Sequence, residues 1–160
     1  MDVKIIDNFL PDEKFNILKS NLLGEYIPWY FNECLAYDND GKYQFTHTFY
    51  AKGFGGVISD YYKLLEECIE KLGVIDLMRI KANLNPKTVF RRNTGYHIDM
   101  SNVKTAVYYI NSNNGGTKFK GGRFVKSVSN RMVMFNSDLQ HAGITCNDEK
   151  RRVVVNFNYL

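Results

Sequence analysis

Two rhythms of apolar residues divide the chain. Up to about residue 74 the main spacing is helical. In PDEKFNILKSNLL, Phe15, Leu18 and Leu22 recur three or four residues apart. Pro11 suits a first helical position there, and Asp12 and Glu13 complement the positive end of the helix dipole. SDYYKLLEECIEKLG places Tyr61, Leu65, Cys68 and Leu72 on one stripe, with Ser59 able to cap the helix and Gly73 to close it. Two segments of this half break the rhythm. VKIIDNFL reads as a short strand into a turn, and YQFTHTFYA alternates and is rich in aromatic and β-branched residues, as a strand is.

From residue 75 onward the period falls to two. IDLMRIKANLN, TGYHID, VKTAVYYIN, GGRFVKSV, RMVMFN and RRVVVNFNYL are strand-like runs separated by clusters of Gly, Asn, Ser and Asp. Two helices and then a succession of strands predict an α+β, mainly β architecture, or a helix-backed sandwich. No repeat or linker divides it. The expectation is one domain over 1–160, with N-terminal helical support to about residue 74 and a β core from about 75.

Composition adds limits more than direction. At 160 residues with 44% hydrophobic residues, 11 Tyr and 11 Phe, the chain can bury a core without staples. A net charge of +4 is compatible with an anionic substrate or a nucleic acid and demands neither. Cys34, Cys68 and Cys146 are odd in number and far apart, which points to reduced thiols rather than a disulfide framework or a zinc ribbon. The N-terminus has no signal-peptide pattern and no segment reaches 18 consecutive apolar residues. A soluble, cytoplasmic protein with no membrane partner is expected.

The chemistry is concentrated in TGYHIDMSN. In an extended strand His97 and Asp99 point the same way and can grip one metal ion together. Such a pair alone usually binds nothing, so a third ligand has to come from a distant segment. His141 in NSDLQHAGIT, at a turn-like boundary before the last strand, is the candidate. Two histidines and one carboxylate that leave half the coordination sphere open form the facial triad of non-haem Fe(II) oxygenases, although the same ligand types also suit hydrolytic zinc. The last strand separates these options. Its parity puts Arg152, Val154, Asn156 and Asn158 on one face, and Arg151, Val153, Val155, Phe157 and Tyr159 on the other. The second face belongs against an apolar layer. The first makes sense in a wet pocket, where the Arg152 guanidinium offers a forked donor to a carboxylate. A metal triad beside a carboxylate clamp describes a 2-oxoglutarate-dependent dioxygenase.

Over nearly its whole length the chain resembles the prolyl 4-hydroxylase branch of the Fe(II)/2-oxoglutarate dioxygenases, including its small viral and bacterial members. IIDNFLPDEKF resembles the family's first strand and helix, YHID its His-x-Asp motif, and TAVYYIN the strand whose second tyrosine, here Tyr109, reaches the cosubstrate. NGGTKF resembles the Gly-Gly turn, RMVMFNSDLQHAG the segment delivering the distal histidine, and RRVVVN the strand whose basic residue binds the C5 carboxylate. By that register Arg152 and Asn156 are the equivalents. One position departs: where many relatives carry a tyrosine before a proline, this chain has Asn85 before Pro86. Either Asn85 supplies a different hydrogen bond or the position has lost that role.

The resemblance implies a double-stranded β-helix, a cupin-like jelly roll with helices packed on one sheet. It implies Fe(II) held by His97, Asp99 and His141, 2-oxoglutarate anchored by Arg152, consumption of O2, and ascorbate as a supporting reductant. The product side is succinate, CO2 and a hydroxylated C–H bond, with peptidyl-proline the favoured substrate and host cytoplasm the setting for a viral member. A small metabolite stays open as substrate. The absence of arginines after Arg152 disfavours a nucleic acid, and an inactive jelly-roll binding module is disfavoured by the intact triad. His47 reads as structural or substrate-side, and Arg91 and Arg92 as a solvated basic loop or an anion contact. Nothing in the sequence fixes the oligomeric state.

Overall fold

The computed structural model describes residues 2–35 and 40–160. In chain order the strands and helices are β1 (Val3–Ile6), α1 (Asp12–Leu22), β2 (Tyr30–Asn32), β3 (Gln44–Ala51), β4 (Gly56–Val57), α2 (Glu66–Leu72), β5 (Leu77–Pro86) and β6 (Lys104–Tyr109). There follow β7 (Gly116–Phe119), β8 (Phe124–Lys126), β9 (Arg131–Asn136), β10 (His141–Ile144) and β11 (Arg151–Tyr159). Pairing is antiparallel throughout. The large sheet runs β1-β9-β6-β11-β5-β3-β2, with β4 also on β3, and the small one runs β10-β7-β8. This is the jelly roll that the resemblance implies.

Side-chain alternation builds three layers from these two sheets. On the outer face of the large sheet, Ile80, Ala82, Val153, Val155 and Phe157 pack against Phe15, Leu18 and Leu22 of α1 and Cys68 of α2. On the inner face, Val107, Val133 and Val154 meet Phe119 and Val125 of the small sheet. That second cluster is smaller because the rest of the inner face is polar and lines a cavity. β11 contributes to both clusters, as its parity predicts.

Several elements differ from the sequence reading. The segment 59–73 is not one α-helix: residues Asp60–Leu65 form a 3-10 turn that only then passes into α2. Ser59 Oγ accepts the Tyr61 amide hydrogen, and the Tyr61 and Tyr62 rings pack on His47 and Tyr50 of β3. These contacts draw the first turn tighter than α geometry. Gly73 closes α2 in the left-handed conformation, as expected. Pro11 sits just before α1 rather than inside it. TGYHID is not a ladder strand: it makes one isolated bridge, His97 to His141, and a second, Asn93 to Ile144, falls just before it. Gly95, at φ 113, breaks the extension, and Asn93 Oδ1 accepts its N–H at 2.8 Å. Strands from before residue 75 also join the large sheet, β1 pairing with β9 and β3 with β5.

Asn130 locks the first helix onto this frame. It adopts a left-handed φ of 63°, which asparagine tolerates. Its Oδ1 accepts the Leu10 N–H at 3.0 Å, its Nδ2 donates to the Leu10 carbonyl at 2.9 Å, and the Tyr108 hydroxyl also donates to Oδ1. Among the described residues no helix is long and apolar enough to cross a membrane.

Candidate metal centre

One backbone pair brings the two distal histidines together. The His97 N–H donates to the His141 carbonyl and the His141 N–H to the His97 carbonyl, each at 3.0 Å. Directly opposed residues in such a pair present their side chains on one face, and the two imidazole centroids lie 4.9 Å apart. His141 is the first residue of β10 rather than a turn residue, and pairing with Phe119 of β7 holds it there. The edge-on ring of Phe135, 4.8 Å away, supports its imidazole. Asp99 follows His97 on the same side. One ligand atom from each of the three residues lies within 4.8 Å of the others.

The protonation pattern suits a metal. His97 Nδ1 lies 3.0 Å from the Gly95 carbonyl and His141 Nδ1 lies 3.0 Å from the Leu139 carbonyl. A neutral ring donating from Nδ1 leaves the Nε2 lone pair free, and both Nε2 atoms face Asp99, at 3.4 Å and 3.8 Å from its oxygens. Burial by itself would raise the Asp99 carboxyl, but a hydrogen bond from the protonated His97 ring and positive charge on His141 and Arg79 outweigh it and hold the group well below the usual carboxylate range; a bound metal cation would replace the imidazole protons in that role. Asp99 is therefore ionised, and its buried Oδ2 has no hydrogen-bond partner. An orphaned anionic oxygen between two imidazole lone pairs is costly unless a cation fills the gap. The donor set, two nitrogens and one oxygen, fits Fe(II).

The inner face of β11 extends from this centre as a polar floor. Arg152 is buried, at 4% relative exposure, and no carboxylate pairs with it among the described residues. Its Nε donates to Ser127 Oγ at 3.2 Å and one terminal nitrogen donates to Asn85 Oδ1 at 3.3 Å. The guanidinium carbon lies 5.7 Å from the centre of the Tyr109 ring. Burial lowers its pKa, yet an arginine stays charged, so this is a buried cation waiting for an anion. Glycine makes the close packing possible: a Cβ on Gly115 would come within 2.5 Å of the Ile144 carbonyl and 3.1 Å of Arg152 Cδ. A cavity of about 230 Å³ joins the two parts, with His97, Asp99, His141, Arg152, Asn85 and Asn156 among its lining.

Other expected positions fall as follows. Asn85 lies directly across from Arg152 in the β5–β11 register and also donates to Gln44 Oε1 at 3.4 Å. Asn156 faces the cavity, with its Oδ1 unpartnered. Tyr109 is fully buried behind Arg152 and does not line the cavity. Its hydroxyl donates to Thr117 Oγ1 at 2.7 Å, and it is Thr117 that lines the cavity. His47 is away from the centre. Its Nδ1 is 2.7 Å from the Pro28 carbonyl and its Nε2 is 2.7 Å from Ser59 Oγ, a structural role. Arg91 donates to the Asn114 carbonyl at 2.9 Å on the exposed loop, where Arg92 also lies.

Sequence reasoning missed Arg79, Lys81 and Asn83, which line the cavity from β5 beside Asn85. The signal was present: in RIKANLN they alternate with Ile80, Ala82 and Leu84, the same parity that exposed Arg152 and Asn156. Thr117, Thr94 and Ser127 left no such trace.

No family model matches the sequence, and no curated protein matches it significantly. Solved structures match closely in fold. An oxidoreductase of the 2OG-Fe(II) oxygenase family from Burkholderia pseudomallei has a TM-score of 0.70 at 11% identity, covering 98% of this chain and 84% of that one. A prolyl hydroxylase from Trichoplax adhaerens, in complex with a hypoxia inducible factor peptide fragment, gives 0.66 at 15% identity, over 98% and 83%. HygX from Streptomyces hygroscopicus, with nickel, 2-oxoglutarate and hygromycin B bound, gives 0.61 at 10% identity, over 98% and 82%. The chain therefore has the fold of 2OG-Fe(II) oxygenases, prolyl hydroxylases among them.

Proposed function

We propose that this chain is an Fe(II)- and 2-oxoglutarate-dependent dioxygenase that hydroxylates a C–H bond, in a peptidyl-prolyl or similar substrate. The observation that carries the reading is the ionised Asp99 oxygen between two imidazole Nε2 atoms, without a hydrogen bond, beside a buried arginine without an ion pair, both among the described residues. Each is costly alone, and a metal and a dicarboxylate together offset both. The fold shared with prolyl hydroxylases favours that substrate class, and HygX is a reminder that the same frame accommodates a small molecule.

His97, Asp99 and His141 hold the metal on one side, and the carbonyls of Gly95 and Leu139 keep both imidazoles in the required tautomer. Arg152 takes the far carboxylate of the cosubstrate, oriented by Ser127 and Asn85, with Tyr109 packed behind it. Asn85 thus does work that a tyrosine would otherwise do, by fixing the guanidinium rather than touching the cosubstrate alone. Asn156 lies four residues along the same strand from Arg152, with its Oδ1 open to the cavity, where it would meet the cosubstrate's other end. Bound together, Fe(II) and 2-oxoglutarate supply oxidative decarboxylation: O2 is consumed, CO2 and succinate leave, and one oxygen atom enters a C–H bond. The protein contributes position and a sheltered site.

The test is succinate formation from 2-oxoglutarate with Fe(II) and ascorbate, first without and then with proline-containing peptides. Production that depends on Fe(II) and disappears in Asp99→Ala is the expected result. Unchanged turnover in that variant rejects the reading. Binding of Fe(II) or Mn(II), followed by calorimetry, gives a second readout that does not need turnover.

A further inference from the structure

The floor of the cavity carries a second cation between the Arg152 guanidinium and the metal triad. β5 and β11 lie side by side there, and their inward residues face one another in pairs: Asn85 with Arg152, Asn83 with Val154, Lys81 with Asn156, and Arg79 with Asn158. All of these but Asn158 line the cavity. Arg152 closes one end of the row. Arg79 closes the other, its guanidinium 3.9 Å from Asp99.

Three of the four pairs set a cation against an asparagine. In the two end pairs the contact is made: Arg152 donates to Asn85 Oδ1 at 3.3 Å, and Arg79 Nε donates to Asn158 Oδ1 at 3.1 Å. In the pair between them, Asn156 Oδ1 is buried without a hydrogen bond among the described residues. Half-buried Lys81 is the cation placed to meet it, since cross-strand neighbours sit about 5 Å apart at Cβ. Asp99 does not require Lys81, being met by Arg79 at 3.9 Å and by the two imidazoles at 3.4 Å and 3.8 Å. Yet the charge on Lys81 is felt at both Asp99 and His97, which puts its ammonium at the triad end of the cavity.

Arg152 and Lys81 therefore offer two positive ends to an incoming dianion, and their spacing fits one ligand length. Four residues of strand put Lys81 roughly 13 Å from Asn85, and so from the Arg152 that faces Asn85. Side chains standing on one sheet face keep roughly that separation at their tips. An extended five-carbon diacid measures about 7 Å between its outermost oxygens, and charge-assisted hydrogen bonds of about 2.8 Å at each end bring the span to about 13 Å. Val154 lies on the floor between the two cations, with Val107 also lining the cavity, an apolar surface for the middle carbons. Succinate, one carbon shorter, cannot reach both ends.

We infer that Lys81 is a second anchor of the cosubstrate: its ammonium, steadied by Asn156, binds the carboxylate that faces the metal, while Arg152 binds the other. One oxygen of the near carboxylate goes to the metal and the second to Lys81. The two cations select a dicarboxylate of five carbons, and loss of one carbon as CO2 releases the product from one of them. The inference rests on the dioxygenase reading and adds a binding residue to it.

Lysine labelled with 13C at Cε, in the full chain loaded with zinc(II), reports on Lys81 directly, its signal being the one missing from Lys81→Met. The probes are 2-oxoglutarate, glutarate and succinate. The expected result is a saturable shift of the Lys81 signal by 2-oxoglutarate and by glutarate. By calorimetry glutarate should bind wild type about tenfold more tightly than succinate. Lys81→Met should weaken 2-oxoglutarate and glutarate about tenfold and abolish the preference for glutarate over succinate, whereas Lys81→Arg, which keeps the charge, should retain it. A structural role for Lys81 would leave that length preference in place. Failure of both five-carbon diacids to shift the signal, glutarate binding to Lys81→Met as to wild type, or a preference that survives in Lys81→Met overturns the inference. Zinc affinity without a diacid should not fall in Lys81→Met, and Lys81→Arg supplies the comparison should that variant fold poorly. Succinate production from 2-oxoglutarate with Fe(II) tests the dioxygenase reading separately, so the two can fail independently.

Discussion

The outer and inner faces of the large sheet are built from the same strands and obey opposite rules. On the outer face of β11, Val153, Val155 and Phe157 are buried against the helices in an apolar cluster. One residue out of step, on the inner face, Arg152 and Asn156 are surrounded by Lys81, Asn83 and Asn85. The outer face is apolar almost throughout, the buried Trp29 indole N–H at its edge being without a hydrogen bond among the described residues. Among the described residues the inner face and adjoining Asp99 leave an arginine with no ion pair and three buried side-chain oxygens without a hydrogen bond, on Asp99, Asn83 and Asn156. Burying polar groups in this state costs stability, and their concentration around one cavity marks a place where a ligand would complete them. The outer face therefore supplies the stability that the inner face gives up.

This contrast is sharpest at the metal triad. Asp99→Ala or His141→Ala should lower metal-dependent succinate formation to below about one hundredth of wild type, with metal affinity falling in parallel by calorimetry. Asp99→Ala should not lower the ligand-free melting temperature much, because it removes an incompletely satisfied group. A large loss of ligand-free stability would break the comparison.

Across the sheet the signs reverse. Phe157→Ala opens a cavity in the helix-backed layer and should cost about 3–5 kcal/mol in urea unfolding. Asn156→Ala, the adjacent residue on the inner face, should change stability by less than about 0.5 kcal/mol. Equal costs at the two positions would show that the faces do not divide the work.

Arg152→Met is expected to separate stability from ligand binding at one position. The Michaelis constant for 2-oxoglutarate should rise about thirtyfold, since the cosubstrate's far carboxylate loses a buried charged partner. The ligand-free protein should melt at the same temperature or higher, because a buried uncompensated cation has been replaced by an apolar chain of similar length.

The smallest effect belongs to His47, on the outer side. Burial pushes its pKa below the ordinary value and the Pro28 carbonyl only partly opposes this, so the folded protein holds it neutral. The unfolded chain then takes up the proton first as pH falls. His47 contributes nothing to pH dependence well above its unfolded pKa and costs stability as pH drops through it. The melting temperature of wild type should therefore fall more between neutral pH and about pH 5.5 than that of His47→Gln. The variant should be the less stable of the two at neutral pH, where the bonds to Pro28 and Ser59 are intact in wild type.

How much could be read in advance depended on whether a feature was local. The alternation in RRVVVNFNYL gave both faces of β11, because a strand's side-chain period survives any tertiary setting. The stripe Leu65 to Cys68 was legible for the same reason. The 3-10 turn ahead of α2 was not, since it arises from Tyr61 and Tyr62 meeting β3 and from Ser59 contacting His47. Nor was the true state of TGYHID, where a glycine breaks the strand and leaves a single bridge, His97 to His141.

By itself the sequence determined which residues alternate, which can ligate a metal, and which chain segments they occupy. It named His97, Asp99, His141 and Arg152, and its resemblance to a known family named the chemistry. Only the tertiary structure decided that His97 and His141 exchange backbone hydrogen bonds, that Asn85 holds Arg152, that the Tyr109 hydroxyl is engaged by Thr117, and that Lys81 lines the same cavity as the triad. The physical reason is range. Periodicity and ligand type are properties of a few adjacent residues, whereas partnership between β5, β10 and β11 depends on strand register, which no one segment specifies.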